Sequence, residues 1–311
     1  MFRNSVSKSV GYFSRLRKYS SHSQRVGQTT LSEIYNLYQN KVPLTCITAH
    51  DYITAKIADN ASNIDMILIG DSLSMVSLGY NSTLEISFEE FYYLSKAVTR
   101  GVSKKFLICD LPYGSFESST AQCIDNSIKL MKLGKIQSIK IEGSYEYEKE
   151  IKRLIDIGIP VTGHIGLKPQ RFSKTSGFKV QGQALKDALE IYKEACFLNR
   201  LGVSLLVLEC IPSKLAKFIT ENISVPTIGI GAGNSTSGQV LVQGDLLGCS
   251  ESERIPKFLK QYENFYGKGL EALNKYGNEV KNREYPEKKH EYGIKDEVFQ
   301  EFVKAAKDIK I

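Results

Sequence analysis

No stretch of this sequence approaches the roughly 18 uninterrupted apolar residues that a membrane-crossing helix needs, so nothing in it reads as a bilayer span. Its six cysteines, at 46, 109, 123, 196, 210 and 249, form no C-x-x-C pair and share no zinc-type spacing with histidine. Their mostly apolar neighbours mark them as reduced core thiols, which argues against a zinc module or a disulfide scaffold. A proper G-x-G-x-x-G is missing, so a dinucleotide fingerprint is not expected. There is no solenoid repeat, and no low-complexity tract outside the N-terminus.

Acidic residues are lacking before Glu33, and that gap explains the net charge. The chain carries a formal +7, a hint of nucleic acid until the charge is located. Arg3, Lys8, Arg15, Arg17, Lys18 and Arg25 supply nearly all of it, and the remainder is close to neutral. A nucleic-acid-binding protein therefore fails on placement, and no RNP-like aromatic motif revives it. The segment MFRNSVSKSVGYFSRLRKYSSHSQR is rich in Arg and Ser, with Val6, Val10, Phe13 and Leu16 at roughly helical spacing. Residues 1–26 read as a mitochondrial transit peptide with the matrix as destination; a basic tail that binds phosphate is the alternative.

What is present is a rhythm. Eight short apolar runs follow one another: VPLTCITAHD (42–51), DMILIGDS (65–72), KFLICDLP (105–112), QSIKIEG (137–143), IPVTGHIG (159–166), VSLLVLEC (203–210), VPTIGIGAG (225–233) and QVLVQGD (239–245). Rich in Ile, Val and Leu and showing little alternation, they fit strands buried on both faces of a parallel sheet. Helical patterns lie between them. Thr30-Leu-Ser-Glu33 and Ser87-Phe-Glu-Glu90 have capping-box form, and Ser119 starts a further helix. YEKEIKRLIDIG, ALEIYKEACFLNRLG and SKLAKFITEN continue the plan, whereas only GNSTSG separates the last two runs. Such alternation in 311 residues predicts an α/β fold, a (β/α)8 TIM barrel, ahead of an open doubly wound sheet. Residues 27–293 form the expected catalytic barrel, and 294–311 an amphipathic helix with Val298, Phe299, Phe302, Val303 and Ala306 on one face, expected to dock.

The runs end on polar residues: Asp51, Asp71-Ser72, Asp110, Glu142, His164 and Glu209. A barrel delivers all C-terminal strand ends to one rim, so residues far apart in sequence converge. Taken singly, each Asp suits a helix N-cap. Taken together, Asp71, Asp110 and Glu142 need a cation, and an oxygen-only set suits a hard ion such as Mg²⁺. Lys140, between Ile139 and Ile141, faces inward either onto a substrate carboxylate or enolate oxygen or into an ion pair with Glu142 or Asp110. Glu209 leaves an apolar strand, and burial there would raise its carboxyl pKa toward that of a base for carbon acids. His164 is a proton shuttle beside it or a satisfied core residue. The glycine-rich turn 229–238 either cradles an anion or permits close backbone approach.

These residues resemble one family, ketopantoate hydroxymethyltransferase. The likeness runs through TAHDY (48–52), GDSLSMVSLGYNSTL (70–84), CDLPY (109–113), KIEG (140–143), GHIGLKPQ (163–170), GFKVQGQ (177–183), LVLECIP (206–212), PTIGIGAGN (226–234) and, more faintly, YPEKKHEY (285–292). It implies a barrel of the phosphoenolpyruvate/pyruvate superfamily type and transfer of a hydroxymethyl group from 5,10-methylenetetrahydrofolate to α-ketoisovalerate through a Mg-stabilised enolate. The product would be 2-dehydropantoate, in pantothenate and coenzyme A biosynthesis. By motif matching it implies Asp71, Asp110 and Glu142 as Mg²⁺ ligands, the last directly or through water. Asp71, Ser72, Asp110 and Lys140 become keto-acid contacts, Glu209 the proton acceptor and His164 its neighbour. The partners implied are small-molecule substrates and further copies of the chain in a homo-oligomer, with no nucleic acid and no membrane. One departure stands out: His50 occupies a place where the family is expected to carry tyrosine. The near rivals, other metal-enolate enzymes of the superfamily, need a phosphonate pocket or a catalytic cysteine, and no KKCGH-like loop is present.

Deleting residues 1–26 from a fluorescent fusion is expected to abolish mitochondrial accumulation; unchanged location under the microscope would refute the transit-peptide reading.

Overall fold

The computed structural model describes residues 27–171, 179–251 and 255–309, so the 1–26 segment expected to be a transit peptide lies outside the described residues. Eight parallel strands close into a barrel in chain order: β1 (Leu44–Thr48), β2 (Met66–Ile69), β3 (Phe106–Asp110), β4 (Ser138–Glu142), β5 (Val161–Gly166), β6 (Leu205–Glu209), β7 (Thr227–Ile230) and β8 (Gly238–Leu241), which pairs back onto β1. Seven fall inside the expected runs, and β8 begins one residue before its run, at Gly238.

The runs concealed a regular alternation. In β4, Ile139 and Ile141 point outward into the layer of helices, while Ser138, Lys140 and Glu142 point into the barrel, and all five are buried. Inward residues of the other strands, among them Met66, Leu68, Phe106, Ile108, Leu205, Val207 and Val240, form a second apolar cluster that fills the barrel. Both faces of the strands are covered except at Gln239 of β8, so hydropathy alone shows no period of two. Because one face is apolar in either register, the polar insertions on β4 and β5 are what mark the inside.

The helices fulfil the crossovers. α1 (Leu31–Gln39) is opened by a complete Thr30/Glu33 capping box and inserts fully buried Ile34 into the barrel's interior cluster, packing against the ends opposite the site. α2 (Tyr52–Asn60) follows β1, and α3 (Leu73–Val76) is a single turn after β2. α4 (Phe88–Gly101), α5 (Thr120–Met131), α6 (Glu148–Asp156), α7 (Leu185–Leu201) and α8 (Ser213–Asn222) correspond to the anticipated patterns. No helix joins β7 to β8, as the short GNSTSG link required. In that link Gly233 has φ +80°, and a Cβ there would stand 2.5 Å from the Cβ of Ser213. Here the glycine's role is close approach to α8.

After β8 come α9 (Gln243–Leu246), α10 (Phe265–Lys281) and α11 (Asp296–Ala306). Neither α10 nor α11 buries a residue. The apolar face expected to dock is exposed in the single chain, with Phe302 58% and Phe299 49% accessible.

Gly166 closes β5 at φ +91°, where an added Cβ would lie 2.3 Å from the Glu209 carbonyl oxygen. Gly166→Ala is therefore expected to cost at least about 1–2 kcal/mol from the left-handed backbone alone. The measurement is the urea midpoint; an unaltered midpoint would show that this strand end relaxes freely.

Candidate active site

Strand register assembles the polar rim. Asp110 of β3 pairs in register with Lys140 of β4, Glu142 of β4 with His164 of β5, and Gly166 of β5 with Glu209 of β6. The side chains then meet in a chain. Lys140 Nζ lies 2.9 Å from Asp110 Oδ1 and 3.2 Å from His164 Nδ1. His164 Nε2 lies 3.1 Å from Glu209 Oε2, and Nδ1 is 3.5 Å from Glu142 Oε1. Asp71 joins through its backbone N–H, which donates to Asp110 Oδ2 at 3.0 Å. All six line one cavity of about 570 Å³, together with Ser72 and Thr48. Structure thus brings together every residue anticipated for the site.

Asp51, which ends its run in the same manner, does something else. Its Oδ1 accepts from the Thr54 N–H at 2.7 Å, and a capping box opens α2. The bland reading of a strand-end Asp holds at this position and fails at Asp71 and Asp110, whose carboxylates face the cavity.

Charge balance in the cluster follows from burial. Asp71 and Asp110 are 4% and 2% exposed, Lys140 5%, Glu142 3% and His164 2%. Burial pushes the Asp71 carboxyl well above its ordinary value, and the charges of Asp110 and Glu142 add to this. Burial also raises Asp110, with the Lys140 ammonium working against it. Burial pulls Lys140 down, yet Asp110, Glu142 and Asp71 outweigh it and hold the ammonium charged. For His164, burial and Lys140 oppose protonation, while Glu142 and Glu209 carry the pKa up to about 9. Burial raises Glu142, but His164, Lys140 and the Gln170 N–H bring it below the usual carboxylate range. Glu209 is less enclosed than expected: its side chain keeps 17% exposure at the cavity wall and is answered directly by His164.

Gln170 was not anticipated as part of the site. Its Nε2 donates to Asp71 Oδ2 and to the Leu111 carbonyl, both at 2.8 Å, and its backbone N–H donates to Glu142 Oε2 at 3.0 Å. It ties the loop after β5 to the acids of β2 and β4. Nothing but its place in GHIGLKPQ could have singled it out, because a lone Gln after Pro169 carries no periodic signal. Cys210 lies in the cavity wall as well, at φ +48°, but burial and then the Glu209 charge push its thiol up to about 12. That shift disfavours the thiolate form a nucleophile would need.

Among the described residues, no three His, Cys, Asp or Glu side chains form a ready-made metal cage. The expected three-ligand set is thinned because Glu142 turns Oε2 to Gln170 and Oε1 toward His164. Asp71 and Asp110 face the cavity, Asp110 sharing its oxygens with Lys140 and the Asp71 N–H, and a divalent cation would relieve the repulsion between them. That donor set fits Mg²⁺, which takes one or two carboxylates and fills its shell with water and substrate oxygens.

The folded-state pKa of His164 is raised above its unfolded value. Its ion pairs therefore stabilise fully below about pH 6.5 and lose that contribution as pH rises through about 9. An NMR titration of the His164 ring should show a midpoint near 9; a midpoint at or below the ordinary value would mean that Glu142 and Glu209 do not hold the proton.

Comparison with known proteins agrees with this geometry. The sequence model of the family described as ketopantoate hydroxymethyltransferase matches residues 28–288. The chain is 43% identical over 283 residues to the 3-methyl-2-oxobutanoate hydroxymethyltransferase of Emericella nidulans, covering 91% of this chain and 81% of that one. It is 42% identical over 295 residues to that of Saccharomyces cerevisiae, covering 92% and 94% respectively. Among solved structures, phosphonopyruvate hydrolase in complex with oxalate and Mg²⁺ superposes at TM-score 0.54 with 10% identity, covering 90% of this chain and 97% of that one. A 2,3-dimethylmalate lyase, a member of the PEP mutase/isocitrate lyase superfamily, superposes at 0.51 with 11% identity over 89% and 100% of the two chains. These two share the fold. Family model and relatives together cover the barrel and every residue of the rim, and the chain belongs to the ketopantoate hydroxymethyltransferase family of enzymes.

Proposed function

We propose that the cavity catalyses transfer of a hydroxymethyl group from 5,10-methylenetetrahydrofolate to α-ketoisovalerate, giving 2-dehydropantoate and tetrahydrofolate with uptake of one water. One observation carries the reading. A buried cation, Lys140, stands between an acid pair and a His–Glu pair in one continuous contact chain of 2.9, 3.2 and 3.1 Å. An oxo-acid has anionic oxygens at one end and an acidic C–H at the other, and such a chain serves both.

In this reading Asp71 and Asp110, with Glu142 directly or through water, would hold Mg²⁺, and the ion would supply Lewis acidity to the oxo-acid oxygens. Ser72 and Lys140 contact the same end of the substrate. Glu209, at the exposed end of the chain, takes the proton from C3, and the electron pair moves into the enolate. Lys140 stabilises the negative oxygen that results. His164 orients Glu209 through Nε2, while Glu142 behind it keeps the ring charged so that it does not compete as the base. C3 then bonds to the one-carbon unit of the donor. Water provides the hydroxyl oxygen as tetrahydrofolate leaves.

The remaining expectations belong to the same reading. Residues 27–293 act as the catalytic unit and 294–311 as an appended helix, in a homo-oligomer of the mitochondrial matrix. Support for the oligomer comes from α10 and α11, none of whose apolar side chains is buried among the described residues. Support for the location comes from the basic, acid-free composition of residues 1–26.

Glu209→Gln should lower the rate at which α-ketoisovalerate exchanges its C3 proton in deuterated water by about a hundredfold or more, with Mg²⁺ affinity nearly unchanged. Undiminished exchange by NMR would remove Glu209 as the base.

A further inference from the structure

Besides the acidic centre, the cavity wall holds polar groups that the reaction as described leaves idle. Asp245 lies on α9 just after β8, across the barrel from β4, and it lines the same cavity. No hydrogen bond or ion pair reaches its carboxylate among the described residues, and burial pushes its carboxyl up. Thr83, in the connection after β2, also lines the cavity. It is 4% exposed, and its Oγ1 is buried without a hydrogen-bond partner.

These two groups are on neighbouring connections. β2 and β8 both pair with β1, so the loops that follow them arch over β1 side by side. A Cβ built on Gly244 would stand 3.8 Å from Val76, which shows the loops in contact. Around them the cavity is apolar, with Met75, Val76, Ile255 and Phe258 in its wall. A partly buried carboxylate and a buried hydroxyl, both unanswered, are costly unless a ligand answers them. The space is ample, since about 570 Å³ is a volume that engulfs drug-sized molecules, far beyond a five-carbon oxo-acid.

Resting on the donor named above, we propose that Asp245 and Thr83 anchor the 2-amino-4-oxo heterocycle of the reduced folate. The carboxylate takes the paired N–H donors of the amino-amide edge, and the hydroxyl donates to the ring carbonyl. A carboxylate with two oxygens matches two parallel N–H groups as it does a guanidinium. The flat ring lies against the apolar wall. The same carboxylate repels a second oxo-acid, which has no N–H to offer, and so assigns the two substrates to opposite ends of one cavity.

The test uses the full chain and tetrahydrofolate itself, without the transferable carbon, in isothermal titration calorimetry. Asp245→Asn should weaken tetrahydrofolate binding about tenfold or more, as expected for a lost hydrogen bond to a charged group, and Thr83→Val several-fold. In steady state the KM for the folate donor should rise by a similar factor while the KM for α-ketoisovalerate stays within about twofold. Asp245→Glu should recover part of the loss. Deuterium exchange at C3 in the absence of folate serves as the fold check and should change little in either variant. Wild-type affinity for tetrahydrofolate in both Asp245→Asn and Thr83→Val overturns the proposal, as does a KM effect confined to the oxo-acid. If the unmodified chain exchanges C3 protons but does not bind tetrahydrofolate, the anchor is wrong and the enolate chemistry stands. If it binds tetrahydrofolate through Asp245 but exchanges nothing, the anchor stands and the role of Glu209 falls.

Discussion

A lysine placed in the middle of a barrel strand organises this protein. Lys140 has buried isoleucines on either side along β4, and its ammonium must find counter-charge inside the barrel or not be charged at all. Asp110 meets it at 2.9 Å, and Asp71 and Glu142 contribute at longer range. The converse holds as well: without that cation, three buried carboxylates would face one another. Breaking a buried pair of this kind costs on the order of 3–5 kcal/mol, because one charge is left without an answer. The cluster therefore has to be built whole, and its members are held at fixed separations by strand register rather than by flexible loops.

That rigidity has a chemical use. Preorganised charges aimed at a substrate need no rearrangement when charge develops on it. Adjacent strands place two cations between two acids, with Asp110, Lys140, His164 and Glu209 supplied in order by β3, β4, β5 and β6. The acid pair and the base stand at opposite ends of this row, with the cations between them. Gln170 then locks the row from above, since one residue binds Asp71, the Leu111 carbonyl and Glu142 together. The connections after β2 and β8 add Met75, Val76, Thr83 and Asp245 to the cavity wall, so charged and apolar lining stand in one cavity, which suits two substrates of different chemistry.

Much of this could be read from residues alone. Eight apolar runs gave eight strands in order, and capping boxes at Thr30 and Ser87 opened helices where the pattern said they would. The single-turn elements α3 and α9 escaped notice, being too short for any periodicity. α2 was missed as well, because its N-cap, Asp51, was grouped with the acids that end strands. The final helix expected to dock buries none of its residues among the described ones.

The amino-acid sequence by itself determined the barrel and the residues at its rim, because burial on two faces and a polar strand end are local properties that composition expresses directly. It did not determine which rim acid caps a helix and which faces a substrate, nor that Glu142 turns toward His164 and Gln170. Those choices belong to tertiary structure. They depend on the register between strands and on a loop returning over the rim from β5, and distances of 2.8 to 4.0 Å between residues up to 99 apart exist only once the barrel has closed.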